Sequence, residues 1–247
     1  MKLLSTLFLL TFASFSAYAV ETEEVVNAPT DDDSQGKPIF NGKDLTGWEG
    51  NLKLWSVQDG AITGKTTDEG ETKLKHNTFL VWKGGTVKDF ELTFKYRIEK
   101  GNSGVQYRSK VVKQGEQGPI LSGYQADFEA GNVYSGILYE EQGRGILAAR
   151  GQKTTISAGE GGKHKLEVKG EVGKSEEIQA AIKPEAWNNY MIVAKGNRLL
   201  HFINGKKTIE VMDEDAAHAS KEGVLGLQIH VGPAMVVQFK DMMLKNE

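Results

Sequence analysis

The sequence predicts an all-β protein, a sandwich of two sheets of jelly-roll type, and three observations carry that prediction. Apolar and polar residues alternate with period two in many short runs, glycine or Asn-Gly punctuates most of those runs, and no segment shows the strand–helix alternation of a parallel α/β sheet. Glycine supplies 29 of the 247 residues, about 12% against an average usage of ~7%. These glycines are scattered rather than periodic, as many tight turns between short strands require. A hydrophobic content of 39% with only five prolines allows a buried core and excludes a wholly disordered or collagen-like chain.

Along the chain, residues 1–19 start with Lys2, continue through an apolar run and end on Ala17-Tyr18-Ala19. A charged start, an apolar middle and a small-residue cleavage site describe a secretory signal peptide, with cleavage expected before Val20 and a periplasmic or secreted destination. Residues 20–37 are acidic and lack aromatics, so they bury too little to offset their ordering entropy and read as a disordered leader. No membrane anchor is expected, because hydrophilic sequence follows the apolar run. Residues 38–247 then form one domain. With no cysteine its stability comes from the core alone. A net charge of −3 leaves no basic surplus to neutralise phosphates, which excludes nucleic acid as a partner.

Within the domain, residues 89–98 alternate polar with apolar over ten positions, the period of a half-buried strand. Shorter runs of the same kind occur at 54–57, 78–82, 103–108, 124–128, 137–139, 190–194, 199–203, 224–230 and 235–244. Asn41-Gly42 and Asn204-Gly205 each offer the two positive-φ positions of a type I′ hairpin turn, and the second is expected to pair 199–203 with 207–211. Helical signal is confined to a turn or two in 210–219. The segment 151–182, rich in Gly, Lys and Glu, reads as an insertion or extended hairpin.

Residues two apart in a strand share a face. Gln106 and Arg108 therefore oppose Val105 and Tyr107, Gln125 and Asp127 oppose Tyr124, Ala126 and Phe128, and Gln228 and His230 oppose Leu227, Ile229 and Val231. Any antiparallel sheet with a wet face alternates in this way, but exposed strand faces usually carry Lys, Glu and Thr. Amides with Arg, Asp and His heads would instead suit a polyhydroxy ligand, which needs several fixed donors and acceptors. Glu140, Glu141 and Arg144 lie in a glycine-rich turn that is either solvated or ligand-facing. His201 shares its face with Leu199 and Ile203, where a hydrogen-bonded core histidine competes with a place at the ligand. The chain has no H-E-x-x-H, P-loop, G-x-G-x-x-G or G-x-S-x-G motif, which argues against serine-nucleophile chemistry, and the lack of cysteine excludes the thiol equivalent.

Several pieces occur in one order: Phe40-Asn41-Gly42-Lys43-Asp44-Leu45-Thr46-Gly47-Trp48, Asn102-Ser103-Gly104-Val105 with Arg108, Gly123-Tyr124-Gln125-Ala126-Asp127, Trp187-Asn188-Asn189-Tyr190, His201 with Asn204-Gly205, and Gly226-Leu227-Gln228 with His230. Together they resemble the 3-keto-disaccharide hydrolase domain family over about residues 38–245. The resemblance implies a concanavalin-like jelly roll, exported by bacteria, that cleaves 3-keto-glycosides made by a separate sugar 3-oxidoreductase. It further implies His230 or Asp127 as general base, Arg108 at the developing enolate, and Gln106, Gln125, Tyr139, Gln228 and His201 around the sugar. Glu140 or Glu141 would serve as acid and Arg144 as a further clamp. A divalent metal ion bound by His230, Asp127 and a Glu, either Glu140 or Glu141, would polarise the ketone as a Lewis acid, although the sequence shows no dense cluster of ligands to hold one. Two competing readings are a non-catalytic carbohydrate-binding module and a structural surface protein, since a sandwich does not fix a function.

Overall fold

The computed structural model describes residues 36–246. The expected signal peptide and nearly all of the acidic leader lie outside the described residues. Strand β1 (Lys37–Pro38) already pairs Lys37 with Leu244, so described structure begins just before the expected boundary at Pro38. The chain continues through β2 (Trp48–Glu49), β3 (Trp55–Gln58), β4 (Ala61–Lys65), β5 (Thr78–Trp82), β6 (Phe90–Ile98), β7 (Asn102–Gly115), β8 (Gly118–Glu129), β9 (Leu138–Glu141) and β10 (Gly145–Ala148). Then come β11 (Gln152–Ala158), β12 (His164–Glu171), the helix α1 (Ser175–Ala180), β13 (Asn188–Lys195), β14 (Arg198–Ile203), β15 (Lys206–Asp213), β16 (Val224–Ile229) and β17 (Val236–Asn246).

These strands form the two sheets of a jelly-roll sandwich. The larger runs β12-β11-β15-β14-β13-β6-β17-β4-β3, with β1 on β17, and the smaller runs β10-β9-β8-β7-β16-β5-β2. Strand β11 joins β15 in parallel, whereas the neighbours that build the site below are all antiparallel. Strand β6 buries Phe90, Leu92, Phe94, Tyr96 and Ile98 and leaves the intervening residues half-buried, as period two demands. Across the sandwich they join a core with Val105, Tyr107, Tyr124, Ala126, Phe128, Leu227 and Ile229 of the smaller sheet. Phe94 stacks on Tyr190 at 5.2 Å, and Phe128 meets Phe239 edge-on at 5.8 Å. Truncating an aromatic in such a core costs about 3–5 kcal/mol. The apolar set of each strand is thereby locked inward, and its polar set is forced outward.

Local turn chemistry explains two differences from the sequence reading. Asn204 and Gly205 take φ of 47° and 77° and join β14 to β15 as a tight hairpin, as expected. Asn41 does not start a second one. Its side-chain oxygen accepts the backbone N–H groups of Lys43 and Asp44 at 2.8 and 3.0 Å, an Asx turn in which only Gly42 has positive φ. Of the turn or two of helix expected within 210–219, a single turn forms, at its end. Ile209 and Val211 are buried in strand register, and only one turn follows, with His218 and Ala219 donating to the Asp215 carbonyl. Among the described residues the α-helix is α1, within the 151–182 segment that otherwise forms the β11–β12 hairpin at a sheet edge. No described helix is long and apolar enough to cross a membrane.

Candidate functional site

Strands β9, β8, β7 and β16 lie side by side, with Gln106 opposite Gln125, Gln125 opposite Tyr139, and Gly226 opposite Gln106. Because Val105, Tyr107, Tyr124, Ala126, Leu138 and Leu227 fill the core, their neighbours Gln106, Gln125, Asp127, Tyr139 and Gln228 face away from it. Gln125, Asp127, Tyr139 and Glu141 line a cavity of about 680 Å³ together with Asn77, Tyr134 and His230. Gln106 and Gln228 are fully buried beside them. Gly104 makes this floor possible, since a Cβ there would stand 2.7 Å from Gln125 Cγ. Without it, Gln125 lies across β7.

Neutral amides hold the two inner carboxylates. Gln125 Nε2 donates to Asp127 Oδ1 and, at 3.2 Å, to Gln228 Oε1, while Asn102 Nδ2 reaches Asp127 Oδ2 at 3.5 Å. Glu141 accepts from Asn77 Nδ2 at 3.2 Å and from Gln228 Nε2 at 3.3 Å. His230 donates Nδ1–H to the Val231 carbonyl at 2.6 Å, which leaves Nε2 for a ligand, and Val231 N–H donates to Asn77 Oδ1 at 2.9 Å. The opposite wall is the loop between β8 and β9. Glu129 Oε1 accepts the Val133 and Tyr134 N–H groups at 2.6 and 2.8 Å, and Arg150 donates to the carbonyls of Asn132 and Ser135, each at 2.8 Å.

No Lys or Arg is among the described residues that line this cavity. Burial therefore pushes the Asp127 carboxyl up to about 7; hydrogen bonds from Gln125 and Asn102 oppose that rise, and the charges of Glu141 and Glu129 reinforce it. Glu141 is also raised, chiefly by desolvation, against its bonds to Asn77 and Gln228 and the nearby His230. Tyr139 is raised by burial and by the same two carboxylates, so its hydroxyl keeps its proton and remains a donor. The arrangement offers a carboxylate poised near neutrality, a phenol donor and an imidazole around one hollow of sugar-accommodating size.

Four residues expected at the site lie elsewhere. Arg108 has φ of 47° within a bulge between Tyr107 and Lys110, and this breaks the alternation that would have placed it beside Gln106. Its guanidinium donates to the carbonyls of Lys88 at 2.6 Å and Gly196 at 2.7 Å and to Asp89 Oδ1 at 2.9 Å, at the edge of a different cavity of about 470 Å³. It is a clamp between the sheets. Glu140 precedes Glu141 and so points to the opposite face, where Arg144 pairs with it at 2.7 Å and with Asp213 of β15 at 2.6 Å. Arg144 and Glu140 are thus buried between the layers. His201 sits in the core, bonded to the Tyr107 hydroxyl at 2.9 Å and the Tyr190 hydroxyl at 3.3 Å, and burial pushes its imidazole down to about 3.

Asn77, Glu129 and Tyr134 join the site without having been singled out in the sequence, and Asn102 joins it from a piece of the resemblance that had given it no role. Asn102 was within reach, because period two carried back from Gln106 through Gly104 arrives at it. Asn77 precedes β5 in a turn, where alternation says nothing. Among the described residues no three His, Cys, Asp or Glu side chains come together to hold a metal ion. Both Asp127 carboxylate oxygens face amide N–H donors, from Gln125 and Asn102, which does not suit a divalent cation held by His230, Asp127 and a Glu.

No curated protein sequence matches the chain. Its fold is similar to that of a candidate glycosyl hydrolase from Parabacteroides distasonis, at a TM-score of 0.55 and 21% identity, covering 90% of this chain and 99% of that one. The carbohydrate-binding module CBM66 from Bacillus subtilis is similar at a TM-score of 0.50 and 16% identity, covering 83% and 98%. The profile of the family described as 3-keto-alpha-glucoside-1,2-lyase-like domain matches residues 35–245. With that match across nearly all of the chain, on a jelly roll whose polar hollow suits a sugar, the protein belongs to the 3-keto-alpha-glucoside-1,2-lyase-like domain family of carbohydrate-active proteins.

Proposed function

We propose that the protein cleaves 3-keto-glycosides by elimination across C1 and C2, with Asp127 as the base. The observation that carries this reading is the Asp127 carboxyl, raised to about 7 in a floor of amides at a cavity able to take a sugar. A ketone at C3 acidifies the C2 proton. Asp127 removes that proton, and the electron pair passes to the C3 oxygen as an enolate. Tyr139 donates a hydrogen bond to that oxygen, the task the resemblance had given to Arg108. When the C3 carbonyl re-forms, the C1–C2 double bond forms, the C1–O bond breaks, and His230 supplies a proton to the departing oxygen. Water then adds across the double bond, hydroxide at C1 and a proton at C2, to give the free 3-keto-sugar.

This route needs one base and one acid around a single face of the sugar. It differs from ordinary glycoside hydrolysis, in which two carboxylates flank the bond at about 5–9.5 Å. A substrate of this kind is supplied by a separate sugar 3-oxidoreductase. The proposed setting is periplasmic or extracellular, on the signal-peptide pattern of residues 1–19.

The test is to incubate residues 20–247 with a 3-keto-disaccharide and with its unoxidised parent. Release of monosaccharide from the ketone alone supports the reading. Binding without turnover would replace it with a carbohydrate-binding module, and silence toward both would leave a structural role.

A further inference from the structure

The amides beneath the cavity form a chain with a direction. A glutamine has one end that only donates and one that only accepts, so fixing one member fixes the next. Three acceptors face the Ser109 hydroxyl, Gln106 Oε1 at 2.6 Å and the carbonyls of Tyr107 and Tyr124 at 3.0 and 3.5 Å; its one hydrogen goes to the shortest contact, and Gln106 Nε2 then donates to Gln125 Oε1 at 3.0 Å. Gln125 Nε2 is left to donate to Asp127 and Gln228, and Gln228 Nε2 to Glu141. The chain of donors starts on β7 and ends at the two carboxylates, Asp127 by way of Gln125 and Glu141 by way of Gln228. Ser109 is 2% exposed and the three glutamines 0–1%, so the chain is closed to solvent. Two glycines clear the space for its first member: a Cβ on Gly123 would stand 2.3 Å from Ser109 Oγ, and one on Gly223 would stand 2.3 Å from the Ser109 carbonyl.

We infer that Ser109 and Gln106, neither of which lines the cavity, are positioning residues that set the direction of this chain and thereby keep donors aimed at Asp127 and Glu141. The inference rests on the reading of Asp127 as base. Reversal shows why direction matters. If Gln106 turned its amide nitrogen to Ser109, Gln125 would turn its own nitrogen to Gln106 and present its oxygen to Asp127, an arrangement only a protonated carboxyl can satisfy. The bulge that swings Arg108 away brings Ser109 beneath Gln106. One backbone irregularity therefore removes a cation from the site and installs the start of the chain.

The groups around Asp127 are Gln125 and Glu129 from β8, Asn102 from β7, Tyr139 and Glu141 from β9, His230 beyond β16, and Tyr190 from the larger sheet. None changes in the variants chosen for the test. Gln106→Met removes the donor to Gln125 and adds no charge, and Ser109→Ala removes only the first donor. Both should move the acid limb of the kcat/KM profile for a 3-keto-disaccharide to higher pH, by about one unit and about half a unit, with KM changed less than kcat. Carboxyl ¹³C titration of Asp127 in the ligand-free protein should show the same upward movement. If both folded variants keep the wild-type Asp127 midpoint, the inference is overturned, whatever the turnover. If the wild type never cleaves the ketone while the midpoint still moves, the proposed reaction fails and the positioning role stands.

Discussion

Two buried acidic clusters lie on either side of the smaller sheet and differ in one respect. On its outer face Asp127 and Glu141 meet only amides, a phenol and an imidazole. On its inner side Glu140, Asp213 and Asp215 surround Arg144, whose guanidinium lies 2.6–3.7 Å from all three. Both sets are nearly inaccessible to solvent. Where a cation answers the charge, the ion pairs tie two layers together. Where only dipoles answer it, ionisation is resisted and a proton becomes available for exchange near neutral pH. Strands 4.7–4.9 Å apart thus hold a structural and a chemical acid on opposite faces.

The strongest way to break this contrast is Asp127→Asn, which keeps the shape and removes the proton acceptor. Turnover of a 3-keto-disaccharide should fall by about 1000-fold or more, while the melting temperature rises. For the sign of that rise, Asp127 is raised in the folded state, so wild-type stability is lost as pH climbs from the unfolded carboxylate pKa near 4 toward about 7. The amide loses nothing. The stabilisation should therefore be absent below about pH 4 and reach the order of 4 kcal/mol above pH 7; a variant no more stable than wild type at pH 8 would contradict the assigned environment.

Arg144→Met attacks the other cluster. It leaves buried carboxylates without their cation and should cost about 3–5 kcal/mol of stability in denaturant unfolding, with kcat of the folded fraction within about threefold of wild type. A smaller, third effect concerns His201, whose imidazole is depressed to about 3. Only the unfolded chain takes up this proton between pH 6.5 and 3, so stability falls as pH falls, by about 2 kcal/mol between pH 6.5 and 5. His201→Gln should flatten that slope in melts across the same range. Tyr139→Phe should have the smallest effect, about 10-fold in kcat, because one neutral donor at the enolate is removed.

Much of the architecture was legible because period two is a local rule. It placed Gln125 with Asp127 and set Gln228 opposite Leu227, and side-chain alternation along β6 followed in the structure without exception. The same rule separates Glu140 from Glu141, and treating them as one charged turn concealed it. Arg108 was not legible, since a left-handed residue inside a strand leaves no mark on the apolar pattern. The cation expected at the enolate consequently lies in an interlayer clamp. His201 fell where its apolar strand face suggested, in the core, with Tyr190 of the neighbouring strand β13 and the sequence-distant Tyr107 as its partners. Asn77 and Tyr134 are held by turns, where no period exists to read.

Removal of the C2 proton is the step that sets elimination apart from direct hydrolysis, and isotopic labelling at that carbon tests it most directly. A 3-keto-disaccharide deuterated at C2, cleaved in ordinary water and sampled early, should release a 3-keto-sugar that has lost its deuterium, with a slowed rate and no release by Asp127→Asn. A product that keeps the label and forms at an unslowed rate would show that the glycosidic bond breaks without touching C2, and the elimination mechanism would be wrong.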